Sequence, residues 1–163
     1  MSRRGFVMVM SLLLLLILLV MGLAFLGTSA QRARGATHTS VSSQALWLAR
    51  AGLEDARGKL AKDLAFPPPG SVDQQVFGYS EDLLDPDGVL VGTYTVTLDR
   101  TFEGPPYQVL RVTSQGRVGR RTDPMAERVL TAELDVAQWD RADPTVPNPT
   151  LFQWLSLQDS AGF

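Results

Sequence analysis

Residues 3–27 read RRGFVMVMSLLLLLILLVMGLAFLG, and this stretch decides how the chain is organised. From Phe6 to Gly27 the run contains no charged residue, and Ser11 is its only side chain with a hydroxyl group. As an α-helix rising ~1.5 Å per residue, it spans roughly 33 Å, close to the ~30 Å hydrocarbon core of a bilayer. The run therefore predicts one transmembrane helix over residues 6–27.

The charges before the apolar run predict its orientation. Arg3 and Arg4 precede it, and the positive-inside rule keeps such arginines in the cytoplasm. Residues 1–5 are then a short cytoplasmic leader, and everything after Thr28 lies beyond the bacterial inner membrane. Gly22, Ala24 and Gly27 are small enough to allow close contact with another helix inside the membrane.

The helical pattern continues beyond the apolar run, over residues 28–66. Proline is absent until Pro67, and the apolar residues recur at steps of three and four: Val41, Ala45, Ala49, Leu53, Ala56, Leu60 and Leu64. Asp55 stands four residues before Lys59, the spacing of a helix ion pair. The segment therefore predicts an amphipathic extension of the first helix, with one face that needs a partner.

The remaining residues favour a small β-rich head. Pro67-Pro68-Pro69-Gly70 predicts the end of the helix, and residues 67–88 read as a connecting loop closed by the turn signal Asp85-Pro86-Asp87-Gly88. Residues 93–99, 107–114 and 129–136 read as strands, residues 116–121 as an extension or a short further strand, and residues 122–124 as a turn. We therefore predict a sheet head over residues 89–137.

Together these elements predict an α+β fold, in which a long N-terminal helix packs on an antiparallel meander of three or four strands. Residues 138–163 read as an irregular C-terminal arm with an apolar cluster that either folds back on the sheet or forms an exposed patch for a partner. The cluster consists of Leu151, Phe152, Trp154, Leu155 and Leu157.

Residues 3–64 resemble the N-terminal region of type IV pilins, in particular that of minor pilins of the PilX type. The resemblance rests on Gly5-Phe6, the apolar run, Ser29 and the segment QALWLARAGLE at residues 44–54. This segment resembles the stretch rich in small residues, ending near A-x-x-A-x-x-G/A-x-E, that closes the conserved N-terminal region of the family. It implies a pilin-like fold. It also implies that a separate prepilin peptidase cuts between Gly5 and Phe6 and methylates the new amine of Phe6. Partners would be other pilins or pseudopilins, through the N-terminal helix, and the inner-membrane assembly platform.

One position departs from the family pattern. Most pilins carry a glutamate at the fifth residue of the mature chain, which here is Met10. In the family that carboxylate pairs with the N-terminal amine of a neighbouring subunit, since a charge buried in lipid needs a partner. Met10 cannot form this pair, so the resemblance implies a minor, low-copy subunit. A position near the tip of the pilus is one explanation of the methionine, and simple variation at this site among PilX-like proteins is the other, so tip or shaft stays open. Whether that pilus serves motility, competence or type II secretion stays open.

Two other interpretations of the N-terminus remain. A secretory signal peptide would be cut after Ala30, although its apolar region would be longer than the usual 7–15 residues. A plain signal anchor would retain the run as a membrane tether. In either case the head would be a periplasmic binding module unrelated to pili.

The residue types indicate no enzyme. Cysteine is absent, so no disulfide staples the chain, and His38 is the only histidine. Asp82, Asp85 and Asp87 carry oxygen ligands at loop spacing, but turn chemistry accounts for this spacing without calcium. We expect no catalytic residue, no metal and no cofactor.

The charge balance argues against general affinity for nucleic acid. Without Arg3 and Arg4, the 15 basic residues fall to 13 against 17 acidic ones, a net charge of −4. Four arginines of the sheet region, Arg111, Arg117, Arg120 and Arg121, together with Arg128, nevertheless suggest weak contact with DNA phosphates. A solvated face of the sheet is the other explanation.

Overall fold

The computed structural model describes residues 3–63, Phe66 and residues 75–160, without the side chains of residues 3–5 and of Ala30. Helix α1 runs from Arg3 to Lys62 and includes both the apolar run and the amphipathic segment. It ends before Phe66, where the sequence had predicted its last residue. The predicted stop at residues 67–70 lies outside the described residues. The chain divides into two compact units, Met1–Ser40 and Val41–Phe163.

The second unit contains a five-stranded antiparallel sheet whose strands lie side by side in chain order. The strands are β1 (Val76–Leu84), β2 (Leu90–Asp99), β3 (Val109–Arg120), β4 (Asp123–Asp135) and β5 (Trp154–Ser160). The α+β class and the meander are therefore confirmed. The predicted count of three or four strands is wrong, because both edge strands were missed.

Strand β1 lies in the segment that had been predicted as a polar connecting loop. From this strand Phe77 and Tyr79 pack against the core. On the other face, the hydroxyl of Ser80 forms a hydrogen bond with that of Thr95, and the carboxylate of Asp82 accepts one from the hydroxyl of Thr93. An edge strand with so few apolar residues gives a weak alternation signal. The predicted turn at Asp85-Pro86-Asp87-Gly88 is present, with the Gly88 N–H donating to the Asp85 carbonyl over 3.0 Å.

The third and fourth strands are longer than predicted. Residues 116–120 extend β3 without a break, and β4 already begins at Asp123, where a turn had been expected. The turn is therefore reduced to Arg121 and Thr122. Gly119, at a φ of +90°, takes the left-handed conformation next to this turn, where the strand register shifts.

The core lies between the sheet and the second half of α1. The predicted helical stripe is buried from Ala45 to Leu60, with Val41 partly buried at its start. Leu64, its last predicted member, lies outside the described residues. The helix faces a layer of alternate strand residues, among them Val96, Leu98, Leu110, Val112, Leu130 and Leu134. A Cβ atom on Gly116 would overlap the backbone of Ala45 and Ala49, so the helix backbone lies directly on β3.

The C-terminal arm is more ordered than the sequence predicted, because residues 154–160 form β5 beside β4. Phe152 and Trp154 pack against the core, as expected for a cluster that folds back on the sheet. Leu151, Leu155 and Leu157 stay exposed. The apolar cluster is thus divided between the core and the surface.

Candidate functional site

The first unit contains a stretch of helix, from Phe6 to Gly27, whose surface is apolar on all sides. Every described side chain from Phe6 to Ser29 is exposed, on all sides of the helix. Among the described residues this is the one helix that is long and apolar enough to span a membrane, with a mean hydropathy of 3.0 in its apolar window. A helix that is hydrophobic all round needs either lipid or other apolar helices around it.

Two hydroxyl groups, one within this stretch and one directly after it, donate hydrogen bonds to backbone carbonyls of the same helix. The hydroxyl of Ser11 donates to the carbonyl of Met8 over 2.9 Å, and that of Thr28 donates to the carbonyl of Ala24 over 2.9 Å. Gly22 and Gly27 have no atom within 4 Å of the position of a Cβ, so their flanks are open. The helix can therefore lie in an apolar environment without an unsatisfied hydroxyl group.

The predicted processing positions lie at the start of the same helix. Gly5 and Phe6 belong to α1, and the ring of Phe6 is exposed. The side chains of Arg3 and Arg4 lie outside the described residues. Met10 follows one helical turn after Phe6 with an exposed, uncharged thioether. The helix therefore presents no carboxylate at this point to a neighbouring amine.

The helix segment of the second unit has one packed face and one free face. On the packed face Gly52 lies against Ser114, Tyr94 and Val96, where any side chain would collide. On the free face Trp47 is 64% exposed, and the guanidinium of Arg50 stands 5.1 Å from the centre of its ring. An exposed tryptophan next to an arginine is typical of protein–protein contact sites.

Charged residues tie the two flanks of this helix segment to the sheet. On one flank Lys59 forms the predicted ion pair with Asp55 over 2.6 Å and a second one with Glu81 of β1. On the other, the indole N–H of Trp154 in β5 donates to Glu54 over 3.0 Å. The helix is thus held at both edges of the sheet.

Two tyrosines complete the cluster around Lys59. Tyr79 donates its hydroxyl to Asp55 over 2.8 Å, and Tyr94 donates to Glu81 over 2.7 Å. Burial and these bonds to carboxylates raise the pKa of both phenols. Burial alone would lower the pKa of Lys59, but Asp55 and Glu81 raise it above its ordinary value. The lysine stays charged and the phenols stay neutral.

The loop between β4 and β5 is organised by a buried carboxylate that the sequence analysis did not single out. Asp135 has 0% of its surface exposed, and Arg141 pairs with it over 2.8 Å. Asn148, Thr150 and the backbone N–H of Ala137 also donate to it. Burial alone would raise the pKa of Asp135, but these hydrogen bonds lower it to about 2. In the sequence, the only indication of this buried group is that an aspartate stands at the end of a strand with alternating apolar residues.

Most of the arginines that suggested DNA contact pair with carboxylates on the sheet. Arg111 pairs with Glu133 over 3.3 Å, Arg117 with Glu127 over 2.8 Å and Arg121 with Asp82 over 3.4 Å. Arg128 likewise pairs with Asp159 over 2.8 Å, and Arg120 is exposed at the end of β3. These ion pairs favour the explanation that the arginines belong to a solvated face of the sheet. Contact with DNA stays a prediction, and it has less support because the paired arginines are already partly neutralised.

The candidate calcium ligands have other roles in the structure. Asp85 accepts the backbone N–H groups of Asp87 and Val89, and Asp82 accepts the hydroxyl of Thr93. His38 lies on the exposed part of α1. Within the described ranges no group of three or more histidine, cysteine or acidic residues is placed to hold a metal ion.

Comparison with known proteins adds no relative to this description. No protein-family model matches the chain, and neither a curated protein nor a solved structure matches it.

Proposed function

We propose that this protein is a minor subunit of a type IV pilus or of a related secretion pseudopilus. It would be anchored in the bacterial inner membrane before it enters the filament. The observation that carries the proposal is the composition of α1. An uncharged run with no buried side chain continues, within one helix, into a segment that packs on the sheet. The exposed apolar helix needs lipid before assembly and other apolar helices after it, and a helical filament provides the second environment.

The N-terminal residues suit the processing that such a subunit undergoes. Arg3 and Arg4 would hold the leader in the cytoplasm, where a prepilin peptidase would cut between Gly5 and Phe6. Gly5 and Phe6 are substrate positions in this scheme. The protein itself catalyses nothing, and its partners are the peptidase, the assembly platform and other pilins.

Met10 supports a minor role over that of the repeating subunit. A repeating subunit gains from a carboxylate that neutralises the amine of its neighbour inside the apolar filament core. Met10 gives neither a charge nor a hydrogen bond of comparable strength. A subunit that starts or caps the filament has no earlier neighbour to neutralise, so the methionine costs it nothing.

The free face of the helix in the second unit supports contact with neighbouring subunits. Trp47 and Arg50 would bury a large area together against the next subunit, since the ring is already held by the guanidinium. Such a contact is heterologous, because the helix of one subunit meets a different surface of the next, and heterologous contacts propagate a filament. The subunit would prime, cap or decorate the pilus, and thereby support adhesion, motility or DNA uptake.

The deciding experiment is mass spectrometry of the N-terminus of the protein from native cells, with and without the prepilin peptidase. We expect a chain that begins at methylated Phe6, and we expect the precursor to accumulate when the peptidase is deleted. A chain beginning at Gln31 would reveal an exported soluble module, and an intact start at Met1 or Ser2 would reveal a signal anchor. Either result would refute the proposal.

A pair of glycine variants makes this test specific. Gly5→Val should leave the precursor uncut, because the peptidase must accommodate the residue before the scissile bond. Gly35→Val is the matched control, since Gly35 is also a helical glycine of the first unit with nothing within 4 Å of its Cβ position. Normal processing of Gly5→Val, or equal loss in both variants, would contradict the predicted cleavage site.

A further inference from the structure

The face of the sheet that points away from α1 carries an open groove. Its first part has a volume of about 280 Å³ and is lined by Phe102, Tyr107, Val109, Arg111 and Glu133. A second part of about 320 Å³ shares Arg111 and Glu133 and continues to Thr131, Ser156 and Gln158. The two parts form one elongated depression across β3, β4 and β5, which we call the outer groove. An elongated groove suits an extended ligand.

The register of the strands explains why these side chains meet. Arg111, Glu133 and Ser156 are direct cross-strand neighbours, as are Thr131 and Gln158. Their sequence neighbours Leu110, Ala132 and Leu134 face the core, so the polar set lies on the opposite face by the two-residue period of a strand. The floor of the groove is therefore held by the same packing that holds the core.

The floor is rich in hydrogen-bonding groups and has no net charge. Arg111 pairs with Glu133 over 3.3 Å, and the hydroxyl of Ser156 donates to Glu133 over 3.2 Å. A guanidinium carries five N–H donors and a carboxylate has about four acceptor positions, so both retain capacity beyond these bonds. Thr131 and Gln158 add groups that both donate and accept. A neutral ligand with many hydroxyl groups matches this set, whereas a strongly charged ligand would face a repelling partner.

Two aromatic rings form one end of the groove. Phe102 and Tyr107 meet edge to face at 5.6 Å, and the guanidinium of Arg111 lies 5.2 Å from the centre of the Phe102 ring. Tyr107 is nevertheless 60% exposed. A sugar ring has an apolar C–H face and a rim of hydroxyl groups, so one ring of a glycan can cover Tyr107 while its hydroxyls reach the polar floor.

From this geometry we infer that the outer groove is a binding site for a neutral polysaccharide. Tyr107 stacks on one sugar ring, Arg111 and Glu133 bind its hydroxyl groups, and Ser156 and Gln158 contact the next ring along the chain. The inference concerns the head alone and does not depend on whether the protein enters a pilus.

The test is isothermal titration of the full chain in lipid nanodiscs, since maltoside detergents are themselves glycosides and would compete. The probes are neutral hexasaccharides of glucose, mannose and N-acetylglucosamine. A hexasaccharide of galacturonic acid tests the role of charge, and a neutral hexapeptide of serine, threonine and glutamine tests the class of ligand. We expect saturable binding of at least one neutral hexasaccharide, with a Kd on the order of 0.1 mM, and weaker binding of the acidic sugar and the peptide.

Two variants connect this binding to the groove. Tyr107→Ala and Glu133→Gln should each weaken binding by about tenfold or more, the loss expected for a stacked ring or a charged hydrogen bond. Trp139→Ala is the matched control, because Trp139 is an exposed aromatic residue that does not line the groove. Circular dichroism verifies that all variants are folded.

Three outcomes would overturn the inference. The first is that none of the neutral hexasaccharides binds at concentrations up to about 10 mM. The second is binding that Tyr107→Ala and Glu133→Gln leave unchanged. The third is tighter binding of the peptide or of the acidic sugar, which would assign the groove to another class of ligand.

Discussion

The two parts of helix α1 have the same secondary structure but opposite surroundings. Before Ser40 none of the described side chains is buried, whereas from Ala45 to Leu60 one face is packed tightly on the sheet. In an apolar medium the backbone groups of the apolar run can be satisfied only within a helix, whereas the second part is stabilised by packing of its amphipathic face on the sheet. Perturbing each part separately should therefore damage different properties of the protein.

The largest expected effect concerns the apolar part. Replacing both Leu15 and Leu19 by arginine should cost roughly 5–7 kcal/mol of insertion free energy, since each arginine at the centre of a span costs ~2.5–3.5 kcal/mol. We expect the doubly substituted protein to be lost from the membrane fraction that resists carbonate extraction. The leucine-to-alanine pair at the same positions is the control. Full membrane integration of the arginine variant would refute the transmembrane assignment.

The next effect concerns the contact between helix and sheet. Gly116→Val should destabilise the head by about 3 kcal/mol, because its side chain would overlap the helix backbone at Ala45 and Ala49. Chemical denaturation followed by tryptophan fluorescence measures this loss. Gly78→Val is the control, because Gly78 is exposed and a Cβ atom there would lie at an ordinary contact distance of 3.5 Å from the carbonyl oxygen of Val96. Its unfolding midpoint should equal that of the parent. Equal unfolding midpoints for both variants would contradict the close approach of the helix to β3. Neither variant should change the extraction of the protein from membranes.

A smaller effect tests the buried carboxylate of the loop. Because the folded pKa of Asp135 is about 2 and its ordinary value is 3.8, the ionised group contributes stability above pH ~4 that is lost as the pH falls toward 2. The difference corresponds to about 2 kcal/mol. We expect the free energy of unfolding to fall over this range in the parent and to fall less in Asp135→Asn. Asp87→Asn, at an exposed turn, should keep the slope of the parent.

The smallest effect concerns the ion pairs of Lys59. Lys59→Ala should cost about 1 kcal/mol, because it leaves Asp55 and Glu81 without their shared cation and removes the ammonium 4.2 Å from the centre of the Tyr79 ring. Lys62→Ala, one turn further at the exposed end of the helix, should change stability by less. A larger loss in Lys62→Ala would show that the cluster does not hold the helix.

The errors in predicting the sheet have a common cause. Central strands such as β3 alternate between buried and partly exposed residues, because one face packs on the helix and the other faces away from it. The edge strands β1 and β5 contribute few buried side chains, and backbone pairing with a neighbour sets their conformation. A sequence pattern detects burial, so it misses strands that hydrogen bonds hold in place.

The sequence by itself determined the long helix, the uncharged run in its first half, the buried face of its second half, the α+β class and the central strands. All of these follow from local periodicity and from the length of an apolar run. The tertiary structure alone decided the edge strands, the network around Asp135, the pairing of the arginines and the outer groove. These depend on residues far apart in the chain, such as Arg111 and Glu133, which become neighbours only when the strand register is set.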